Sequence, residues 1–302
     1  MYDSVLIIAD IEGSSGCWDY RASAFKTHEW VAACVDLTRD VAAVVRSLLD
    51  NGVRRVIVKD FHRTGFNILP EMIDSRARVV HGYKVGPVPG IGDPGSVEAA
   101  LFLGMHAASG SAGFMAHTLT SRIGRLEVNG ELLPEVYLFA GSVASYGVRP
   151  VFFSGCPVAC DQARCTIPGI HTYSIDKSVG RREFAAEPWR QGLAQAATSA
   201  LCDAQTVPFE PAGPFHTRVT LRQGEPAAQK LANRWGFHRQ GVDILLHNDR
   251  LEHLFLDLIR MCYLTPMLER VLPLAVGVSN LRGRAGLTWL RRQMKKRGFS
   301  PI

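Results

Sequence analysis

At 302 residues, 47% hydrophobic and 21% charged, the chain can bury a full core and has neither a collagenous nor a disordered composition. No run approaches about 18 uncharged apolar residues, and no basic leader precedes the first apolar run. Neither a membrane span nor a secretion signal is therefore expected, and the expected location is cytoplasmic. The formal charge is +6, yet Arg282, Arg284, Arg291, Arg292, Lys295, Lys296 and Arg297 crowd one acid-free stretch, and without those seven the remainder stands at −1. A nucleic-acid partner for the body of the protein is not expected on charge.

Residues 5–9 (Val-Leu-Ile-Ile-Ala) read as a buried strand closed by Asp10-Ile11-Glu12-Gly13. Residues 29–49 read as a helix, with Trp30, Leu37, Val41, Val44, Val45 and Leu48 near helical spacing and a stop at Asn51-Gly52. Strands are predicted over 53–58, 78–81 and 100–104. Asn129-Gly130 between the short runs of 123–133 signals a hairpin. A helix over 135–146, a strand over 150–154, a helix over 158–165, a strand over 171–175 and a helix over 188–202 follow. This alternation predicts an α/β fold, a parallel-rich sheet covered by helices.

Three prolines within residues 207–214 mark a linker. Beyond it come strands over 215–221 and 242–247 and an apolar-faced helix over 251–264. The predicted organisation is thus a catalytic α/β domain over 1–206, a smaller α/β portion over 207–265 packed on it, and an extension over 266–302 ending in the basic tail. Seven cysteines, an odd number, give no disulfide framework. Cys156, Cys160 and Cys165 lack paired C-x2-C knuckles, and free thiols are expected there rather than a structural zinc site.

The chemistry concentrates at strand ends. Asp10 and Glu12, spaced i, i+2, project on one face and repel each other unless a positive group lies between them. His62 follows the second strand and His106 follows the run Leu101-Phe102-Leu103-Gly104. In open α/β sheets ligands gather outside the carboxyl ends of parallel strands. Two carboxylates and two imidazoles delivered there form a donor set that suits zinc. Read singly, His62 is as readily a loop residue and Asp-x-Glu a turn cap. Asp60, two residues before His62, is either an orienting partner for its imidazole or a solvated turn residue.

Asp10-Ile11-Glu12-Gly13-Ser14-Ser15-Gly16, Asp60-Phe61-His62, Leu103-Gly104-Met105-His106 and Gly113-Phe114-Met115-Ala116-His117 resemble, in order and spacing, the successive motifs of the zinc D-aminopeptidases of the DppA type. The resemblance covers approximately residues 1–264 and is strongest over the first half. It implies a site for two zinc ions per subunit: Asp10 bridging, Glu12 and His106 completing one ion's ligands, His62 and Glu135 the other's. By residue type alone, Glu135 would more readily be a first-turn glutamate complementing a helix dipole. The resemblance also implies a catalytic role for His117, as nucleophile, proton shuttle or oxyanion donor. It further implies short peptide substrates with an N-terminal D-residue such as D-alanine, and a homo-oligomeric ring, a decamer.

Three positions depart from the family pattern. Glu-x-Gly-x-Asn becomes Glu135-Val136-Tyr137-Leu138-Phe139, Gly-Asp-Asp becomes Gly155-Cys156-Pro157, and the lysine of a Val-Lys stretch is displaced to Lys177. These changes bear on the substrate pocket and leave room for another reading, a metal-dependent amidohydrolase acting on a different amide or on L-peptides. A reading from another class takes residues 289–297 as a basic, partly amphipathic segment that binds nucleic acid or an acidic membrane surface. Against it stands a solvated terminal helix or an oligomer contact.

Overall fold

The computed structural model describes residues 2–298. Six strands form one parallel sheet: β1 (Ser4–Ala9), β2 (Arg55–Asp60), β3 (Arg78–Val80), β4 (Ala99–Met105), β7 (Arg149–Gly155) and β8 (His171–Ser174), in the order β3-β2-β1-β4-β7-β8. The chain runs outward from β1 through β2 to β3, then crosses back to place β4 on the other side of β1. The switch point of the sheet is therefore the crevice beyond the ends of β1 and β4. β1 and β4 are buried along their whole length, as continuous apolar runs flanked on both faces should be.

The helix His28–Asp50 opens at Thr27, whose hydroxyl accepts from Trp30 N, and buries Leu37, Val41, Val44 and Leu48. It packs beside the helix Ala186–Asp203 on one face of the sheet. β2 begins two residues later than the sequence suggests, because Asn51-Gly52 and Val53 complete the turn out of that helix. Asp60 is consequently the last residue of β2. The helix Glu135–Ala144 and the helix Pro157–Thr166 agree with expectation within two residues.

A second, antiparallel sheet has the order β10-β11-β9-β5-β6, built from β5 (Ile123–Val128), β6 (Glu131–Leu132), β9 (Phe215–Leu221), β10 (His238–Gln240) and β11 (Asp243–Asn248). Asn129 and Gly130 take positive φ at the β5–β6 turn, as the hairpin signal requires. β5 pairs with β9 along its length. The smaller sheet is thus stitched across the Pro-rich segment, and a boundary at 206/207 separates two partners of one sheet. One apolar core, including Phe139, Phe153, Phe215, Val219 and Phe255, spans both sides of that boundary.

The C-terminal residues form a short helix, Pro266–Arg270, and a long one, Leu272–Lys296. The long helix is not a free extension. Leu287, Leu290 and Met294 are buried in the core of the first half, Arg291 makes a two-pronged ion pair with Glu71, and Asn280 bonds the backbone of Tyr83 in both directions. Among the described residues no helix is long and apolar enough to cross a membrane.

Candidate metal centre

Two ligand-bearing loops interlock at the switch point. Asp10 N donates to Leu103 O at 2.8 Å and Gly13 N to Gly104 O at 2.7 Å, joining the loop after β1 to the end of β4. Gly104 has φ +69°, and a side chain there would strike the Asp10 carbonyl. A side chain at Gly13 would likewise strike the Met105 and Gly104 backbone. Only glycine permits this approach, and the approach brings Asp10 against His106.

The six residues singled out in the sequence converge. Asp10 lies at the centre: its Oδ1 is 3.0 Å from His62 Nδ1, and its Oδ2 is 3.4 Å from His106 Nε2. Glu12 Oε2 is 2.8 Å from His62 Nδ1, and Glu135 Oε1 is 3.5 Å from His106 Nε2. Asp10, Glu12 and His62 form one compact donor group; His106, His117 and Glu135 form another. This grouping sets Glu12 beside His62 and Glu135 beside His106, whereas the resemblance pairs Glu12 with His106 and His62 with Glu135. Here each imidazole serves as counter-ion to its neighbouring carboxylates.

All five expected ligands are buried. Burial raises the Asp10 carboxyl, and repulsion from Glu12 raises it further. Burial also opposes ionisation of Glu12, but His62 holds that carboxyl down at about 2. Desolvation works against charge on His62, yet Glu12 and Asp10 push it well above the ordinary imidazole range. His106 behaves alike: burial disfavours its charge, and Glu135 outweighs burial, bringing it to about 10. Glu135 is lowered by His106 against its own desolvation.

Three buried carboxylates with no lysine or arginine paired to them form a costly arrangement that divalent cations would repay. Two observations fit the site to such ions. Glu12 Oε2 finds no hydrogen-bond partner, because the His62 proton is directed at Asp10. His62 Nε2 lies 2.9 Å from the Ser23 carbonyl, which keeps a proton on Nε2, so Nδ1, facing Asp10 and Glu12, is the nitrogen that would give up its proton to a bound cation. Carboxylate oxygens with imidazole nitrogens are donors zinc accepts.

His117 stacks on His106, ring centroids 3.8 Å apart and planes within 11°. Its Nδ1 donates to Met115 O at 2.8 Å, leaving the Nε2 lone pair free. Burial and the neighbouring His106 lower its pKa to about 4, so the ring is neutral. Met115 and Leu119, on either side, have φ +48° and +61°, strained values for residues with side chains. The strain belongs to a loop tied down at both ends: His117 N donates to Ala107 O, and Leu119 N donates to Glu135 Oε1 at 2.7 Å.

Asp60 does not orient the His62 imidazole. It is fully buried and accepts from the backbone of Asn67 and Ile68 and from Asn67 Nδ2, and Asn67 in turn donates to the His62 carbonyl. Asp60 therefore shapes the loop carrying His62 and leaves its ring to Ser23, a carbonyl invisible to residue-type reasoning. Asp40 and Arg190 were also missed. Asp40 accepts from Ser15 N and Oγ and pairs with Arg190 Nε at 3.0 Å, bracing the loop beyond Glu12. The available signal was an aspartate set among the inward positions Leu37, Val41 and Val44 of its helix.

Lys177, although displaced in sequence, reaches the same loop: its ammonium donates to the carbonyls of Ser14 and Cys17 and lies 4.5 Å from the centre of the Trp18 ring. Tyr137 and Phe139 pack among other aromatic side chains. Phe139 packs on Phe61 and Phe255, and Tyr137 on Phe209. Gly155 is held to glycine by the Met105 carbonyl facing it. Cys156, Cys160 and Cys165 carry free thiols and, among the described residues, enter no candidate metal group.

Fold and site together define an α/β protein with a carboxylate–imidazole cluster, a candidate metal centre, at the switch point of its parallel sheet. The profile of the M55 peptidase family, described as D-aminopeptidase, matches residues 4–241. The chain belongs to that family. It is 25% identical over 175 residues to a D-aminopeptidase of Bacillus subtilis (strain 168), a match spanning 57% of this chain and 63% of that protein. Its fold matches a solved structure described as the Zn-dependent D-aminopeptidase DppA from Bacillus subtilis, a self-compartmentalizing protease. The TM-score is 0.76 at 19% identity, covering 85% of this chain and 96% of the other.

Proposed function

We propose that this chain is a cytoplasmic zinc aminopeptidase that hydrolyses short peptides with an N-terminal D-residue, D-alanine among them. The observation that carries the reading is the central placement of Asp10, with one carboxylate oxygen facing His62 and the other facing His106. Family membership and the zinc dependence of the structural neighbour support it. Asp10, Glu12, His62, His106 and Glu135 would hold two zinc ions, Asp10 shared between them. When bound, such a pair supplies Lewis-acid polarisation of a carbonyl and brings the pKa of a water molecule towards neutrality.

The protein's own residues do the remainder. His117, with Nδ1 committed to the Met115 carbonyl, offers Nε2 to take a proton from the attacking water and return it to the leaving amine. Its stacking on His106 and the two strained residues beside it fix the height of that nitrogen over the ligands. Carboxylate oxygens of the cluster would also anchor the substrate's α-ammonium group, as an exopeptidase requires. Like the neighbour described as self-compartmentalizing, this chain is proposed to assemble as a homo-oligomer, a decamer.

The test is metal stoichiometry and hydrolysis on one preparation, before stripping, after stripping and after zinc return. The substrate panel is D-Ala-D-Ala, L-Ala-L-Ala and D-alaninamide. Two zinc ions per chain with zinc-restored cleavage of the D-peptide is the expected result. Undiminished activity in stripped protein overturns the metal centre, and preference for the L-peptide overturns the substrate. Light scattering reads the assembly.

A further inference from the structure

The helix Leu272–Lys296 lies wholly beyond the family match and presents two contrasting faces. Its inward side, Gly283, Gly286, Leu287, Leu290 and Met294, is buried against the first half. Gly283 and Gly286 are needed there because Phe66 and Phe25 occupy the space a side chain would take. On the opposite side, Leu274, Val278, Leu281, Ala285, Thr288, Arg292 and Lys295 recur at alternating four- and three-residue steps, one continuous outward stripe, every member exposed.

That stripe changes character along its length. Its first half is hydrocarbon: Leu274 is 68% exposed, Val278 62% and Leu281 67%, and the adjoining short helix adds Met267 at 77%. Its second half is cationic. Arg292, Lys295 and Lys296 follow on the same side, and Arg282 and Arg284 flank Leu281 on either shoulder. No acidic residue occurs after Glu269, which is itself paired with Arg260. Exposed apolar patches of this kind mark interaction sites.

Charge selects the occupant. A second copy of the helix laid parallel would bring cation against cation, and one laid antiparallel along its length would set the cations of each against the hydrocarbon of the other, with no acid to answer them in either case. A nucleic acid would satisfy the arginines and lysines and leave the leucines in water. An anionic bilayer surface answers both halves, with headgroups for the cations and acyl chains for the apolar residues. At 25 residues the helix is about 37 Å long, enough to lie along such a surface. We propose that the outward face of Leu272–Lys296 docks this protein peripherally on an anionic lipid membrane. The proposal is independent of the hydrolytic activity.

The experiment is co-sedimentation of the full chain with vesicles of phosphatidylcholine alone and of equal parts phosphatidylcholine and phosphatidylglycerol. Two triple variants accompany it: Leu274→Ser with Val278→Ser and Leu281→Ser, and Arg292→Glu with Lys295→Glu and Lys296→Glu. All six positions are exposed, and thermal melting confirms that each variant is folded. The expected result is pelleting with the anionic vesicles only, weakened by salt, and at least about tenfold lower partitioning for each variant. Failure of the unaltered chain to pellet with anionic vesicles overturns the proposal, as does equal pelleting with both vesicle types. An apolar variant that pellets undiminished while the chain binds duplex DNA reassigns the face to nucleic acid. An apolar variant with a smaller assembly by light scattering, from a parent that ignores vesicles, reassigns it to a second copy.

Discussion

Charge is buried at the carboxyl edge of the parallel sheet, and hydrocarbon is exposed on the C-terminal helix. In the first region Asp10, Glu12, His62, His106 and Glu135 are withdrawn from water, and the loops after β1 and β2 that carry three of them are tied to other parts of the chain through Ser23, Asn67, Asp40, Arg190 and Lys177. In the second, Leu274, Val278 and Leu281 face solvent with no packing partner, although the same helix is firmly held through Arg291 and Leu290. Each is an inversion of ordinary burial, and each implies a missing complement. Polar groups inside call for cations; apolar groups outside call for a cover. The bracing separates the two, because a site that must hold ligand atoms to fractions of an ångström needs its supports built in, whereas a docking face needs only to be presented.

The sharpest way to break the comparison is at its centre. Asp10→Asn should lower hydrolysis at least about a thousandfold and reduce bound zinc, since one carboxylate serves both halves of the cluster. Metal analysis beside kinetics checks it, and retained zinc with retained rate would dissolve the polar half of the contrast. Gly104→Ala comes next. It sets a side chain against the Asp10 carbonyl at φ +69°, and denaturant titration should show a loss of about 2–4 kcal/mol. Lys177→Ala should release the Ser14–Cys17 loop and cost about tenfold in kcat/KM, partly restored by Lys177→Arg.

Lys59 offers a test by pH. It is buried with Gly82 O as its hydrogen-bond partner, and burial lowers its pKa from 10.5 to about 8. A lysine depressed in the folded state binds its proton less tightly there than in the unfolded chain. Its contribution to stability therefore rises as pH climbs from about 8 to 10.5, by about 3 kcal/mol. Urea titrations across that window should show the rise in the parent and lose that component in Lys59→Met. The smallest effect belongs to the outer helix: Leu274→Ser should leave stability within about 0.5 kcal/mol, because nothing packs on it.

Much of the site was legible because its residues sit at strand ends, and apolar runs such as residues 5–9 and 100–104 announce themselves. Asp10, Glu12, His62 and His106 could be placed by that rule alone, while Glu135 and His117 needed the likeness of motifs. The supports were not legible. Ser23 acts through a backbone carbonyl, and Asp40 and Arg190 meet Ser15 only after two helices have packed. Asp60 is neither the ring's partner nor a solvated turn residue: it acts, buried, on the loop that carries His62. In the fold, Phe215–Leu221 was read to the residue, yet its pairing with Ile123–Val128 could not be. Strand partners across more than eighty residues leave no local trace. The helix Glu225–Trp235 went unread because its buried face is made mostly of alanines, Ala228 and Ala232 beside Leu231, which give a weak apolar signal.

That distant pairing carries a consequence for synthesis. A ribosome releases the hairpin Ile123–Leu132 well before the strand that covers it has been made, so on the nascent chain β5 waits with one edge open. The first half cannot be finished in isolation. Protein truncated before Phe215 should emerge sticky, whatever the soundness of its metal ligands.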